Sequence, residues 1–351
     1  MAHAGPGGAC VVAQIDAAYW RARPGRALRR LAAWALIEGR PLTTSGRWIN
    51  PLVFALYRVG DLMAPSARAE NPIYIVGTGR SGTTVLGVVL SMHRDILFLN
   101  EPKAMWARIH DGEDLIGSYN DNPACWRISG EAATPERALA LAKLYSWALR
   151  LAGGRRVVDK YPELVFRRGF VKALIPRARF LFLTRHAADA TTSIALWSAR
   201  HGRTAGGEVH DWWGRNNRKW RLMVEQLVAD DPGLAPHRAW LASATDHRDR
   251  AAVEWVLSMR EGMRAEAAER GSVLRVVYEE LASRPAEVLS RIAAFCGLAD
   301  DPAMTDYATR TLAAPARHGA VELDPRLVPV IRECLDELGY GGAERIVARG
   351  G

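Results

Sequence analysis

Apolar runs set the rhythm of the middle of the chain. Five candidate strands fall at residues 73–76, 96–99, 156–159, 179–184 and 273–278. The first is typical: Ile73-Tyr74-Ile75-Val76 is short, apolar and partly β-branched, and it runs straight into glycine. Longer stretches with helical spacing of apolar residues separate the five, as parallel β-sheet units require. The pattern predicts an α/β fold of three layers, with a central parallel sheet of about five strands flanked by helices. This domain begins near residue 71 and extends to 351.

Residues 1–70 read differently. The first 14 are small and Gly-rich. Residues 15–40 carry a helical, basic pattern, with Trp20, Leu28, Leu31, Trp34 and Ile37 alternating with Arg21, Arg23, Arg26, Arg29 and Arg30. Pro24-Gly25 predicts a break into two pieces. A second apolar stretch runs from Trp48 to Met63. Nine arginines face only four acids in this N-terminal helical extension. Residues 15–63 could lie on an anionic membrane surface as a peripheral contact. The preferred reading is plainer: helices packed on the α/β domain, with their arginines in water.

Composition narrows the class. The chain has 351 residues, 49% of them hydrophobic, enough for one large domain with an appendage. Cys10, Cys125, Cys296 and Cys334 are scattered and suggest neither a metal site nor a disulfide framework. No run reaches the length of a membrane span, and no signal peptide is evident. A cytoplasmic, reducing location is the expectation, with membrane association through residues 15–63 as a variant. The Ala- and Arg-rich composition suits a bacterial chain. The net charge of +9 suits nucleic acid, a membrane surface or an anionic ligand.

The most informative stretch follows the first strand: Gly77-Thr78-Gly79-Arg80-Ser81-Gly82-Thr83-Thr84. Strand, glycine-rich turn and helix together gather backbone N–H groups where the helix dipole favours an anion. Gly77 and Gly82 keep Walker A spacing, but Thr83 stands where that motif places lysine. The cation has moved to Arg80, which argues against an ordinary ATPase or GTPase. In open α/β sheets, ligands bind beyond the carboxyl ends of the strands. Those ends deliver Glu101, Asp159-Lys160, Arg185 and Tyr278-Glu279-Glu280. Ser193 follows Arg185 by eight residues, about two helical turns. Arg185 and Ser193 can therefore converge on a second phosphate, although Arg185 could instead pair with Asp189.

The loop resembles the 5′-phosphosulfate loop of sulfotransferases, and Arg185 with Ser193 resembles their 3′-phosphate site. Lys160-Tyr161-Pro162 is similar to the family's K-x-P segment, and Tyr278-Glu279-Glu280-Leu281 to its YE-x-L segment. The resemblance spans roughly residues 71–298 and is nearest to bacterial carbohydrate and tyrosylprotein types. It implies a P-loop-type fold that uses 3′-phosphoadenosine-5′-phosphosulfate (PAPS) as donor. The product is 3′-phosphoadenosine-5′-phosphate (PAP), and no metal is required. It also implies roles for the residues named. Gly77 through Thr84 hold the 5′ end of the nucleotide. Arg185 and Ser193 hold the 3′-phosphate, and Tyr278 lies near the cofactor. Glu101 is the base, and Arg80 with Lys160 stabilises the charge that develops in transfer.

Rival readings remain open at this level. Glu101 could simply pair with Arg80 or Lys103, and Lys160 with Asp159 or Glu163. Tyr278 could be core. His110 is a rival base, and His186 could line the nucleotide site. Arg310 and Arg317 are candidates for closing the site from the C-terminal side. Residues 186–270 form an insertion rich in Trp and Arg, placed to build an acceptor wall. Its Trp197, Trp212, Trp213, Trp220, Trp240 and Trp255 could stack on sugar rings or fill the core. The expected acceptor is a hydroxyl on a carbohydrate, glycolipid or natural product, ahead of a tyrosyl peptide, with no nucleic acid. The alternatives are an ATP-dependent P-loop kinase and a basic module binding nucleic acid or a membrane.

Overall fold

The computed structural model describes residues 14–38, 44–312 and 318–350. Cys10 and Arg317 lie outside these. All five expected strands form. They are β1 (Ile73–Gly77), β2 (Ile96–Asn100), β3 (Arg156–Lys160), β4 (Arg179–Thr184) and, after an excursion, β8 (Val273–Val277). The excursion is an antiparallel unit of β5 (Arg203–Ala205), β6 (Glu208–Asp211) and β7 (Gly214–Arg215). It was not expected, because its strands are short and polar, although Gly206-Gly207 is a readable hairpin turn. Near the C-terminus, β9 (Val321–Leu323) pairs in parallel with β10 (Ile346–Ala348).

The main sheet is parallel throughout, in the order β2-β3-β1-β4-β8. Alternate residues enter different cores, so the sheet is the middle of three layers. Ile73, Ile75, Phe98, Val158, Leu181 and Leu183 fill one side. Tyr74, Val76, Leu97, Val157, Phe180 and Phe182 fill the other. Register brings the carboxyl ends level: Gly77 lies opposite Leu183, Thr184 opposite Val277, and both Ile75 and Asn100 opposite Lys160. That level edge is where the expected site residues emerge.

The N-terminal residues form α1 (Ala17–Ala22), α2 (Pro24–Leu36) and α3 (Asn50–Asp61). The break falls at Pro24 as its sequence requires. Pro24 occupies the first turn of α2, where a missing N–H costs nothing. These helices pack on the domain, but the expectation that their arginines face water fails for three of them. Arg23 reaches the Met92 carbonyl at 2.8 Å and Asp301 at 2.6 Å. Arg26 reaches the Ile96 carbonyl at 2.5 Å. Arg30 is buried and pairs with Glu38 at 2.5 Å, above the ring of Phe98. The ends of α4 (Thr83–Ser91) and the start of β2 expose carbonyls that need donors. Long guanidinium side chains supply them from outside the sheet.

Among the described residues, Asp159 is a buried carboxyl with no ion-pair partner. It is fully enclosed between β1 and β2, accepting from Tyr145 Oη at 2.6 Å and from Trp106 Nε1 at 2.9 Å. Its other oxygen has no partner. Burial pushes its carboxyl up to about 7. An acid raised in the folded state holds its proton preferentially there, so folding stability falls as pH rises from about 4 to about 7 and then levels off. Asp159→Asn should make that fall shallower, by up to about 4 kcal/mol across the range. Urea melts of both proteins at about pH 5 and about pH 8 check this; an unchanged slope would assign the effect to other groups.

Candidate active site

The loop after β1 is built to leave polar groups without partners. Gly82 has φ +94°, and a Cβ there would stand 2.2 Å from the ring of Tyr278, so only glycine fits. As N-cap of α4 it brings no capping side chain, which leaves the first-turn amides for another acceptor. Thr78 and Ser81 are fully buried, and their hydroxyl oxygens have no hydrogen-bond partner. Thr83 is buried in the first turn of α4 beside the more accessible Thr84. Buried hydroxyls are normally satisfied, so a pair left open at a helix N-terminus fits a polyanionic ligand.

Arg80 adopts a left-handed backbone, φ +67°. This sends its side chain across β4 to the helix Ala187–His201, where Arg80 Nε donates to Ser193 Oγ at 3.1 Å. Arg185 Nη1 donates to the Arg80 carbonyl at 3.0 Å, and its guanidinium lies 4.8 Å above the Tyr278 ring. Arg185 Nε is buried without a partner. The two phosphate sites expected separately therefore adjoin as one cationic cluster. Asp189 feels the Arg185 charge but makes its ion pair elsewhere. It is held instead by Arg345 at 2.7 Å and by the His318 amide at 2.7 Å. Arg345 was not singled out in the sequence. Arg310 is exposed and, among the described residues, bonds its own helix at the Asp306 carbonyl.

A row of charges runs along the same edge. Glu101 has φ +51°, a strained conformation for a residue with a side chain. Its carboxylate contacts the Lys160 ammonium and lies 3.6 Å from Lys103. Lys103 continues to Glu163 at 3.1 Å, Glu163 to Lys219 at 3.3 Å, and Lys219 to Glu254 at 2.7 Å. Glu254 accepts from Trp212 Nε1 at 2.7 Å, and the Trp212 ring lies against Gly79 of the loop. Burial alone would raise Glu163, but Lys103 and Lys219 outweigh it and hold the carboxyl below its usual range. Burial likewise disfavours the Lys219 ammonium, and Glu254 and Glu163 reverse that. Of the two pairings weighed for Glu101, Lys103 is present and joined by Lys160. Lys219 and Glu254 gave no sequence signal, because their partners lie far along the chain.

Both histidines serve local structure. His110 Nδ1 accepts from the Gly112 amide at 3.0 Å, and burial lowers its pKa. His186 caps the helix Ala187–His201 through the Ala188 amide, and burial followed by nearby Arg345 lowers it too. Among the insertion's tryptophans, Trp213, Trp220 and Trp255 are core. Trp197 and Trp212 are partly accessible and meet edge to face at 5.3 Å.

Lys219→Ala would leave Glu254 buried without its cation and Glu163 with Lys103 alone. Breaking buried pairs of this kind costs about 3–5 kcal/mol. Adding Glu254→Gln should recover part of the loss. Chemical denaturation of the single and double variants checks both points, and a wild-type stability for Lys219→Ala would mean the row is solvated.

Residues 72–241 match the model of the sulfotransferase family. No curated protein matches the chain. Among solved structures, sulfotransferase STF9 from Mycobacterium avium is 15% identical, covers 95% of this chain and 94% of its own, and has a TM-score of 0.47. The sulfotransferase domain of the Synechococcus PCC 7002 olefin synthase is 16% identical, with 80% and 99% covered and a TM-score of 0.44. Mouse sulfotransferase SULT7A1, solved with PAP, is 16% identical, with 83% and 85% covered and a TM-score of 0.37. The matched stretch, just under half of the chain, contains the loop, Glu101, Lys160, Arg185 and Ser193, so the likeness to the sulfotransferase family falls on the residues that build this site.

Proposed function

We propose that the enzyme moves the sulfuryl group of PAPS to an acceptor hydroxyl, by in-line transfer with Glu101 as base. The observation that carries this is the pairing of two anion-ready features on one edge. The loop offers buried, unpartnered hydroxyls and an uncapped helix N-terminus. Beside it, Arg80, Arg185 and Ser193 form a cationic cluster. A nucleotide phosphorylated at both its 5′ and 3′ ends suits that pair, with the loop taking the 5′ end and Arg185 with Ser193 the 3′-phosphate. ATP has no phosphate for the second feature. Tyr278, stacked under Arg185, helps fix that guanidinium.

The donor supplies an activated sulfuryl group; the chain supplies the rest. Glu101 takes the proton that the hydroxyl loses as its oxygen bonds to sulfur. Lys160 and Arg80 oppose the negative charge gathering on the departing phosphate oxygen. No metal is needed for this division of labour. Trp197 and Trp212 are partly accessible aromatics of the insertion, and they favour an acceptor with a ring to stack, such as a carbohydrate or glycolipid.

Calorimetric titration with PAP, without added metal, tests the reading. Arg185→Ala should weaken binding about 10- to 100-fold, the worth of hydrogen bonds to a charged group. Glu101→Ala should keep PAP affinity and lower turnover by about 10²- to 10⁴-fold. Magnesium-dependent ATP binding in place of PAP binding would overturn the donor, and normal turnover in Glu101→Ala would overturn the base.

A further inference from the structure

The N-terminal helices leave one surface that neither packing nor catalysis explains. Helix α3 buries Val53, Tyr57 and Gly60 against the domain. Its opposite face presents Pro51, Leu52, Ala55 and Val59 to solvent. Trp48 just before it and Leu62 just after it are each 81% exposed. From Trp48 to Arg68, every exposed residue is either apolar or an arginine. The one acid in that stretch, Asp61, is half-buried and paired with Arg108 at 3.0 Å. A solvent-facing helix normally shows the reverse composition.

The chain then runs through Ala64, Pro65 and Ala67 to Arg68, on the rim of an open cleft of about 970 Å³ at the amino ends of the strands. The cleft is strongly cationic: Arg155, Arg177, Arg270 and Lys172 line it with one carboxylate, Glu269, and Glu70 lies 3.7 Å from Arg177. Lys172 and Arg168 pair with Glu269 at 3.0 Å. An apolar helix face with an exposed tryptophan, continuous with a basic cleft, has the chemistry of a boundary between acyl chains and anionic headgroups. An acidic protein would match the cleft but leave Leu52, Val59 and Leu62 wet.

We propose that the α3 face and the adjoining arginine cleft dock this enzyme on an anionic lipid bilayer, with α3 lying in the interface. This surface is independent of the sulfuryl-transfer site. It also narrows the membrane contact considered over residues 15–63. Helices α1 and α2 also expose Trp20, Leu28 and Trp34, but they spend Arg23 and Arg26 on the domain and Arg30 on Glu38, whereas α3 leads straight to the arginine cleft.

The test is co-sedimentation of the full chain with vesicles of phosphatidylcholine alone and of equimolar phosphatidylcholine and phosphatidylglycerol. Binding should be strong only to the second and should weaken with salt without vanishing. Leu52→Asp with Val59→Asp should lower partitioning at least about tenfold, since both leucine and valine would lose their apolar transfer. Trp48→Ser is the second variant, should the double variant fail to fold. Arg58→Glu with Arg68→Glu should weaken binding to the anionic vesicles alone. PAP binding and melting temperature should be unchanged in all of these, because every altered residue is exposed. Failure of the full chain to bind either vesicle overturns the proposal, as does wild-type binding by the apolar variants. A dimer in sedimentation velocity that Leu52→Asp dissolves, without vesicle binding, would reassign the face to a second copy of the chain.

Discussion

The site depends on a single steric allowance at the end of β1. This strand lies at the centre of the sheet, hydrogen-bonded to β3 on one side and β4 on the other. At Gly77 the backbone turns with φ +135°, and a Cβ there would stand 2.5 Å from the Leu183 carbonyl oxygen. Glycine alone lets β1 keep its register with β4 and still turn over that neighbour. The rest follows from the turn. Thr78 and Ser81 are carried inward, α4 begins under the loop, and Arg80 is aimed across β4 at Ser193.

Around that turn the electrostatics are ordered by alternation. Along the row Lys160, Glu101, Lys103, Glu163, Lys219 and Glu254, each charge touches opposite charges, and Trp212 closes the row against the loop. Burial penalises charged groups, and here mutual pairing, with the Trp212 donor at one end, offsets it. The row therefore holds its geometry as a unit. It joins β2, β3 and the insertion to the loop through side chains alone, and Glu101 is strained into place at one end of it. Arg185 is placed differently: the nearby carboxylate, Asp189, makes its ion pair with Arg345.

Much of this was readable before the fold was in hand, for a physical reason. A buried parallel strand needs a run of apolar residues, and a site at its carboxyl end needs a polar group immediately afterwards. Both signals are local, so Arg80, Glu101, Lys160, Arg185 and Tyr278 stood out. Ser193 was found because a helix converts an eight-residue offset into proximity. Lys219, Glu254 and Arg345 were not found, because their meaning lies in partners 35 to 156 residues away. The arginines of α1 and α2 were misjudged for a related reason. Helical periodicity locates the polar face, but it does not reveal that the neighbouring surface is made of carbonyls. The β5–β7 unit escaped notice because its strands are too short and polar to form a pattern.

The groups that ring the anion cluster come from the β1 loop, the end of β4, the helix Ala187–His201, the start of the helix Tyr278–Ser283 and the segment from His318 to Arg345. The first four come from three βα units, with the end of β4 and the helix after it belonging to one, and the last arrives from the chain's far end. The cluster thus exists only in the fully assembled domain. Any molecule seated there binds the native state and not the unfolded chain. Its occupancy is written directly into the folding equilibrium, by about 2.7 kcal/mol at a hundredfold excess over its dissociation constant. The melting temperature of the whole domain then serves as a gauge of donor-site ligands, and it can rank nucleotides while the acceptor is still being sought.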